Sequence, residues 1–159
     1  MNKIYLLLGS NMGNSSKHLS TAIIYVEKEI GNVIRQSSLY ATAAWGNTNQ
    51  PNFLNQVIVV ETNLTAMQTM QTILQIEKKM GRLRSIKNAP RNIDIDILFF
   101  NKEIIEHKTL SVPHPQIQNR RFVLVPLNQL SPNFRHPVFN KSVHHLLIHC
   151  TDELNVKKF

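Results

Sequence analysis

The sequence has little cysteine and glycine, and no long hydrophobic run, and each shortage narrows the range of functions. A single cysteine, Cys150, excludes an internal disulfide framework and is typical of a reducing compartment. The glycine-rich phosphate-binding motifs GxxxxGK[ST] and GxGxxG are absent, so any nucleotide has to be held by another device. No hydrophobic run reaches membrane-spanning length, and the N-terminal apolar run, residues 4–8, is too short for a secretory signal. We therefore expect a cytoplasmic protein.

Acidic residues are also scarce. The chain has 18 lysines and arginines against 10 aspartates and glutamates, a formal net charge of +8. This excess favours an anionic partner, which could be a nucleotide, a nucleic acid or an acidic surface. With 159 residues, of which 42% are hydrophobic, the chain is long enough for one core, and we expect residues 1–159 to form a single domain.

The most informative stretch is residues 81–100, GRLRSIKNAPRNIDIDILFF. Its second half alternates with a period of two, which predicts a strand with Asp94 and Asp96 on one face and isoleucines on the other. Its first half contains no acid and carries four basic residues: Arg82, Arg84, Lys87 and Arg91.

Two aspartates at positions i and i+2 of a strand lie about 6 to 7 Å apart, which allows their oxygens to bind hard cations such as Mg²⁺. Neighbouring arginines can hold phosphate oxygens in bidentate fashion. Metal and arginine together indicate a polyphosphate substrate. The alternative is that both aspartates form the solvated face of an edge strand and that the basic segment only adds solubility.

Apolar periodicity predicts the order strand, helix, strand, strand, helix, strand. The first helix would begin at Asn14 or Ser15 and end at Gly31, and the second would begin with the capping box of Thr65 and Gln68. The strands would cover residues 3–8, 33–40, 53–61 and 93–100. This order indicates an α+β fold with a ferredoxin-like split βαβ sheet, helices on one face, a C-terminal extension, and the other face available for a site.

Two further groups of residues suggest binding. Phe53 and Asn55 would share one face of a strand, where they could stack a flat heterocycle and hydrogen-bond its edge; equally, Phe53 could belong to the core and Asn55 could cap a loop. His114, held between two prolines and close in sequence to Arg120, could donate to a phosphate; taken alone, a histidine in such a setting is more often only part of a turn.

Four separated blocks resemble one known family. They are GSN at residues 9–11, NFLNQ at 52–56, KNAPRNIDIDIL at 87–98, and VPHP followed by NRRFVL within 112–124. Together they resemble the 6-hydroxymethyl-7,8-dihydropterin pyrophosphokinases of folate biosynthesis, over essentially the whole chain. The resemblance implies transfer of the β,γ-diphosphate of ATP to the hydroxymethyl group of the dihydropterin, with release of AMP.

The resemblance also implies roles for individual residues. Asp94 and Asp96 would bind two magnesium ions that bridge the ATP phosphates, and Arg82 and Arg91 would engage ATP and close over the site. These four would be the catalytic residues. Further nucleotide contacts would come from residues spread along the chain: Glu77, Arg84, Lys87, Ile97, Ser111, His114 and Arg120. The pterin site would consist of two stacking rings, an amide and a loop: Phe53 and Phe122, Asn55, and Thr42, Ala43, Ala44 and Trp45.

On this interpretation the partners are ATP and the dihydropterin, without nucleic acid or membrane, and the protein is a monomer. Two other functions fit part of the sequence. A ferredoxin-like nucleic-acid-binding module would stack bases on exposed aromatic rings, but it has no use for the aspartate pair. A metal-dependent phosphodiesterase or nucleotidyl transferase would use the same two carboxylates.

Overall fold

The structure is a computed structural model that describes residues 1–42, 52–81 and 92–159. Within these ranges the chain forms eight strands, four α-helices and a short 3₁₀ helix at Ile117–Asn119. The strands are β1 (Asn2–Ser10), β2 (Gly31–Gln36), β3 (Tyr40–Thr42), β4 (Phe53–Thr62), β5 (Asp94–Phe100), β6 (Ile105–His107), β7 (Leu110–Val112) and β8 (Val156–Lys158). The helices are α1 (Ser15–Glu29), α2 (Ala66–Lys79), α3 (Arg121–Leu130) and α4 (Val143–Ile148).

One antiparallel sheet organises the chain. Its strand order is β5-β1-β4-β3-β8, and β2 also pairs with β4. Strands β6 and β7 form a separate two-stranded hairpin. The predicted α+β class is confirmed.

Local capping fixes where the first two helices begin. The side chain of Asn14 accepts the backbone N–H of Lys17 at the start of α1, and Thr65 and Gln68 form the predicted capping box of α2. In the described part of the chain, no helix is both long enough and apolar enough to cross a bilayer.

Gly31 directly follows Ile30, the C-cap residue of α1, as the sequence suggested, and it is also the first residue of the next strand. The helix ends at Glu29, and Gly31 begins β2, opposite Thr62 of β4. A Cβ atom at Gly31 would lie 2.0 Å from the backbone oxygen of Glu61. The residue is therefore needed for a close approach of two strands.

The two faces of the sheet carry separate cores. The first, which we call the α1/α2 core, joins both helices to alternate strand residues: Ile4, Leu6, Leu8, Leu19, Ala22, Val26, Ile58, Val60, Ile73, Ile76, Ile93, Ile95 and Ile97. The second, the α3/α4 core, lies on the opposite face: Tyr5, Leu7, Val57, Val59, Phe99, Val123, Leu124, Leu127, Val143 and Leu146. The prediction that α1 and α2 lie on one face is thus correct, but the other face is not left open along its length, because α3 and α4 cover part of it.

The segment predicted as one strand, residues 33–40, is two strands. Residues 37–39 lie opposite only residues 56 and 57, since Gln36 pairs with Ile58 and Tyr40 with Asn55. At this point the hydroxyl of Ser37 replaces a backbone carbonyl and accepts the N–H of Val57 at 3.0 Å. The extra residue ends β2 and lets β3 begin in a new register.

We expect Gly31→Ala to lower the free energy of unfolding by about 1 to 3 kcal/mol, the usual cost of overpacking. The added methyl group can be accommodated only if β2 moves away from the Glu61 backbone. Urea denaturation measures the effect, with Asn32→Ala, at an exposed neighbouring position, as the control. Equal midpoints for the two variants would contradict the proposed contact.

Candidate active site

The aspartate pair lies on the α3/α4 face of the sheet, at the edge of that core. Asp94 pairs with Gly9 of β1 and Asp96 with Leu7, and both side chains are partly buried. The intervening Ile95 packs into the α1/α2 core, so the two carboxylates share one face as predicted. Two acids are thereby placed side by side at the end of the sheet.

Glu77 of α2 holds the strand between these aspartates. Its side chain is only 1% exposed, and Oε2 accepts the backbone N–H of Ile95 at 2.8 Å. A hydrogen bond to a carboxylate is among the stronger ones in a protein. Glu77 therefore fixes the backbone from which Asp94 and Asp96 project.

Gly9 lies between Asp94 and Asn55, since it is the Cα partner of both. A Cβ atom at Gly9 would approach Oδ1 of Asn55 to 2.8 Å. The absence of a side chain thus gives the Asn55 amide room to lie across β1. The same face carries Phe53, two residues before Asn55, and Thr42, which is the strand partner of Phe53.

The amide of Asn55 is buried, at 3% exposure, and within the described residues its Nδ2 has no hydrogen-bond partner. A buried donor without a partner costs free energy, and in native proteins it usually indicates a bound group or water. This amide is therefore suited to donate to a ligand.

His114 lies close to both Arg120 and Asp94. Its backbone N–H donates to Leu98 O at 2.9 Å, which ties the residue to the end of β5. Its Nδ1 accepts the backbone N–H of Gln116 at 3.1 Å, so in the neutral ring the proton is on Nε2. Burial and the Arg120 guanidinium lower the pKa of His114, whereas Asp94 acts in the opposite direction. The ring is thus a neutral donor beside an arginine.

Arg120 and Phe122 flank the start of α3. The guanidinium carbon of Arg120 lies 5.7 Å from the centre of the Phe122 ring, a distance at which a cation and an aromatic face attract each other. Both side chains are partly buried. The helix start therefore presents a positive charge and an aromatic surface together.

Comparison with known proteins identifies the family. Residues 5–132 match the family 7,8-dihydro-6-hydroxymethylpterin-pyrophosphokinase (HPPK). The chain belongs to this family. The resemblance seen in the sequence is confirmed, and the nucleic-acid-binding alternative finds no support.

Named HPPK relatives cover most of the chain. A 2-amino-4-hydroxy-6-hydroxymethyldihydropteridine pyrophosphokinase of Aquifex aeolicus is 40% identical over 141 residues, which are 89% of this chain and 88% of the relative. The protein of that name from Bacillus subtilis is 39% identical over 132 residues, 82% of this chain and 79% of the relative. The HPPK chain is thus an ATP-dependent pyrophosphokinase of folate biosynthesis.

The fold is also found in solved structures. The crystal structure of wild-type Plasmodium falciparum HPPK-DHPS with SDX-DHP superposes with a TM-score of 0.73 at 22% identity. The match covers 93% of this chain and 43% of that one, so this HPPK chain spans less than half of the solved protein.

The structure describes eleven of the residues predicted for the HPPK site, and it brings several of them together. Asp94, Asp96, Phe53, Asn55 and Thr42 share the same sheet face, and His114 is close to Asp94 and Arg120, which neighbours Phe122. The other predicted site residues lie outside the described residues: Arg82, Arg84, Lys87, Arg91, Ala43, Ala44 and Trp45.

The remaining described residues predicted around the nucleotide are Ile97, Glu77 and Ser111. Ile97 is 4% exposed and packs into the α1/α2 core, so any contact with a nucleotide would have to come from its backbone. Glu77 bonds Ile95, and Ser111 is exposed on β7, where it lines a cavity together with His114. Their roles in nucleotide binding remain predictions.

Sequence reasoning missed two residues that position parts of the candidate site, Gly9 beside Asn55 and Asp152 at the start of α3. Gly9 was noticed only as part of the GSN block, because its spacing role depends on which strands flank β1. Asp152 was not noticed at all, although its Oδ2 accepts the N–H of Arg121 at 3.0 Å. Nothing in the sequence signals a contact between residues 31 positions apart.

The aspartate pair is the candidate magnesium site among the described residues. Within the described ranges, no three histidine, cysteine or acidic side chains come together in a metal-binding arrangement. Two carboxylates on one face nevertheless fit Mg²⁺, which proteins commonly bind through one or two carboxylates while phosphate oxygens and water complete the octahedron.

We expect the electrostatic contacts of His114 to appear with opposite signs in an NMR titration. Its midpoint should lie below 6.5; Arg120→Gln should raise it, and Asp94→Asn should lower it further. His136, whose pKa is lowered by burial alone, is the internal control and should not respond. Shifts of the same sign in both variants would contradict the arrangement.

The sign for stability follows from the same titration. Because the folded chain favours neutral His114, the contribution of this residue to the free energy of unfolding is complete above pH 6.5. It is lost as the pH falls through the lowered folded pKa.

Proposed function

We propose that the chain transfers the β,γ-diphosphate of ATP to the hydroxymethyl oxygen of 6-hydroxymethyl-7,8-dihydropterin. The observation that supports this most directly is the register at Gly9, which sets Asp94 on one side of β1 and Asn55 on the other. A carboxylate proposed to bind magnesium and an amide with an unpaired donor are thus neighbours on one sheet face. Two substrates, one bound at the carboxylate and one at the amide, would lie next to each other.

In the proposed reaction the hydroxymethyl oxygen attacks the β-phosphorus. The bond from that phosphorus to the oxygen bridging the α- and β-phosphates breaks, and this oxygen leaves with AMP. The hydroxyl proton passes to solvent. Most of the catalysis then comes from holding attacking and leaving oxygens in line and from stabilising negative charge.

The pterin would bind at the beginning of β4. Phe53 and Phe122 would stack on the two sides of the ring, and Asn55 would donate its unpaired Nδ2 hydrogen to an acceptor on the ring edge. Thr42 lies opposite Phe53 and would lead into the rest of the pocket, for which Ala43, Ala44 and Trp45 are proposed.

The nucleotide would bind across Asp94 and Asp96. We propose these two carboxylates as ligands for two magnesium ions, which when bound would neutralise charge on the phosphates and align them. His114 would donate from Nε2 to a phosphate oxygen, and Arg120 would add positive charge beside it. The remaining proposed contacts are Glu77, Ile97 and Ser111, with Arg84 and Lys87; Arg82 and Arg91 are proposed to engage ATP and close over it.

The proposal extends to the whole molecule. The sheet order β5-β1-β4 followed by β2 and β3, with all pairs antiparallel, supports a ferredoxin-like split βαβ arrangement. We further propose a single domain over residues 1–159 that acts as a monomer in the cytoplasm on small molecules alone.

Product analysis tests the function. The purified chain is incubated with ATP, Mg²⁺ and the hydroxymethyl dihydropterin, and nucleotides and pterins are separated. We expect equimolar AMP and pterin diphosphate. Formation of ADP would indicate transfer of a single phosphoryl group, and release of pyrophosphate would indicate nucleotidyl transfer; either result would overturn the proposal.

We expect Asp96→Ala to reduce kcat by about two orders of magnitude or more, as for other preorganised electrostatic groups. The side chain is partly buried at the sheet end and lies outside both cores, so the fold should persist. AMP formation and circular dichroism measure the two effects, with Glu153→Gln at an exposed position as control. Activity like that of the control would remove Asp96 from the proposed catalytic set.

We expect Gly9→Ala to weaken pterin binding by about tenfold, the loss of one good hydrogen bond. The methyl group would displace the Asn55 side chain, whose Oδ1 would otherwise lie 2.8 Å away. Equilibrium binding of the pterin with a non-hydrolysable ATP analogue measures this. Affinity for the ATP analogue alone serves as the internal control and should change little; unchanged pterin affinity would argue against the role of Asn55.

A further inference from the structure

The C-terminal segment contacts both sides of the proposed pterin site. Strand β8 pairs with β3 from Thr42↔Val156 to Tyr40↔Lys158, and the Phe159 N–H donates to Leu39 O at 2.9 Å. The hydroxyl of Thr42 donates to Asn155 O at 3.1 Å. The segment thereby holds β3, the strand that flanks Phe53 and Asn55.

The other end of the segment holds the start of α3. Oδ2 of Asp152 accepts the N–H of Arg121 at 3.0 Å, and Oδ1 accepts the N–H of Leu154 at 3.0 Å. The residue before the helix, Arg120, makes no capping hydrogen bond with its own side chain. Asp152 therefore satisfies a helix N–H from a distant part of the sequence, and its negative charge suits the positive end of the helix.

The helix start that Asp152 holds carries Arg120 and Phe122. The far end of α3 is fixed independently, because Gln129 accepts hydrogen bonds from Ser38 N at 2.9 Å and from the Tyr40 hydroxyl at 2.8 Å. Loss of Asp152 would thus loosen only the first turn of the helix. Residues 152–159 also lie beyond the part of the chain that matches the HPPK family, residues 5–132.

We propose that residues 152–159 hold the two walls of the pterin site at a fixed separation, with Asp152 as the positioning residue at the α3 wall. This inference rests on the proposed function, since it takes Thr42, Phe53 and Phe122 as pterin contacts. One wall is β3 with β4, and the other is the first turn of α3. The segment joins them through backbone and carboxylate hydrogen bonds.

The test compares Asp152→Ala and Asp152→Asn with Glu153→Ala, which alters an exposed neighbour in the same segment. Asp152→Ala should raise the KM for the pterin by about tenfold, the effect of losing one helix cap, and should raise the KM for ATP by less, because Arg120 is the only proposed ATP contact carried by this turn. Asp152→Asn should be intermediate, because its amide oxygen can still accept the Arg121 N–H but carries no charge. Glu153→Ala should match the unaltered chain.

Hydrogen exchange gives a second readout that needs no turnover. In Asp152→Ala, faster exchange should be confined to residues 119–124 and 39–42. Should Asp152→Ala not fold, the Asp152→Asn variant carries the same two comparisons.

Two results would overturn the inference. One is a pterin KM and an exchange pattern equal to those of Glu153→Ala. The other is an equal rise in KM for both substrates with faster exchange throughout the sheet, which is general destabilisation. If the unaltered chain forms no AMP, the proposed function fails by itself, and the exchange pattern alone decides whether the segment braces the two walls.

Discussion

The pairing of β1 with β4 on one side and β5 on the other is the constraint on which the site depends. The side chains of Asn55 and Asp94 project from one face because both residues pair with Gly9, and directly opposite residues of antiparallel strands point to the same side. A shift by one residue would turn every one of these groups to the opposite face. The apolar residues that alternate with them prevent the shift, since Ile95 and Leu8 are buried among α1 and α2. The hydrophobic core thus sets the geometry of the polar site.

The arrangement of charge follows from the same framework. Asp94 and Asp96 lie where the α3/α4 core ends, and His114, which lies close to Asp94, is also close to Arg120. Two neighbouring carboxylates repel each other, and nearby positive charge offsets that repulsion. His114 stays neutral beside Arg120, so it can donate a hydrogen bond without adding a second repelling cation. This combination of two carboxylates, an arginine and a neutral histidine suits a polyanion that binds as a metal complex.

Features set by neighbours in the sequence could be predicted from it, whereas features set by distant contacts could not. The alternation of residues 93–97 and the capping box at Thr65 are local, and both are found. The break at Ser37 depends on an extra residue opposite β4, and the role of Gly31 in β2 depends on the backbone of Glu61. Asp152 has a function only because the chain returns to Arg121. The cover that α3 and α4 place over the second face was missed for the same reason.

The buried amide of Asn55 shows how stability and recognition are linked at such a site. A donor left unpaired in the interior costs about 1 to 3 kcal/mol, and within the described residues Nδ2 has no partner. The sheet can bear this cost, since the amide lies among strands fixed by cores on both faces. A ligand that offers an acceptor removes the cost on binding, whereas an analogue of the same shape without one leaves it in place. Sites of this kind discriminate by hydrogen bonding far more strongly than apolar pockets do. In the proposed pterin site, the same unpaired amide that costs stability would therefore provide selectivity.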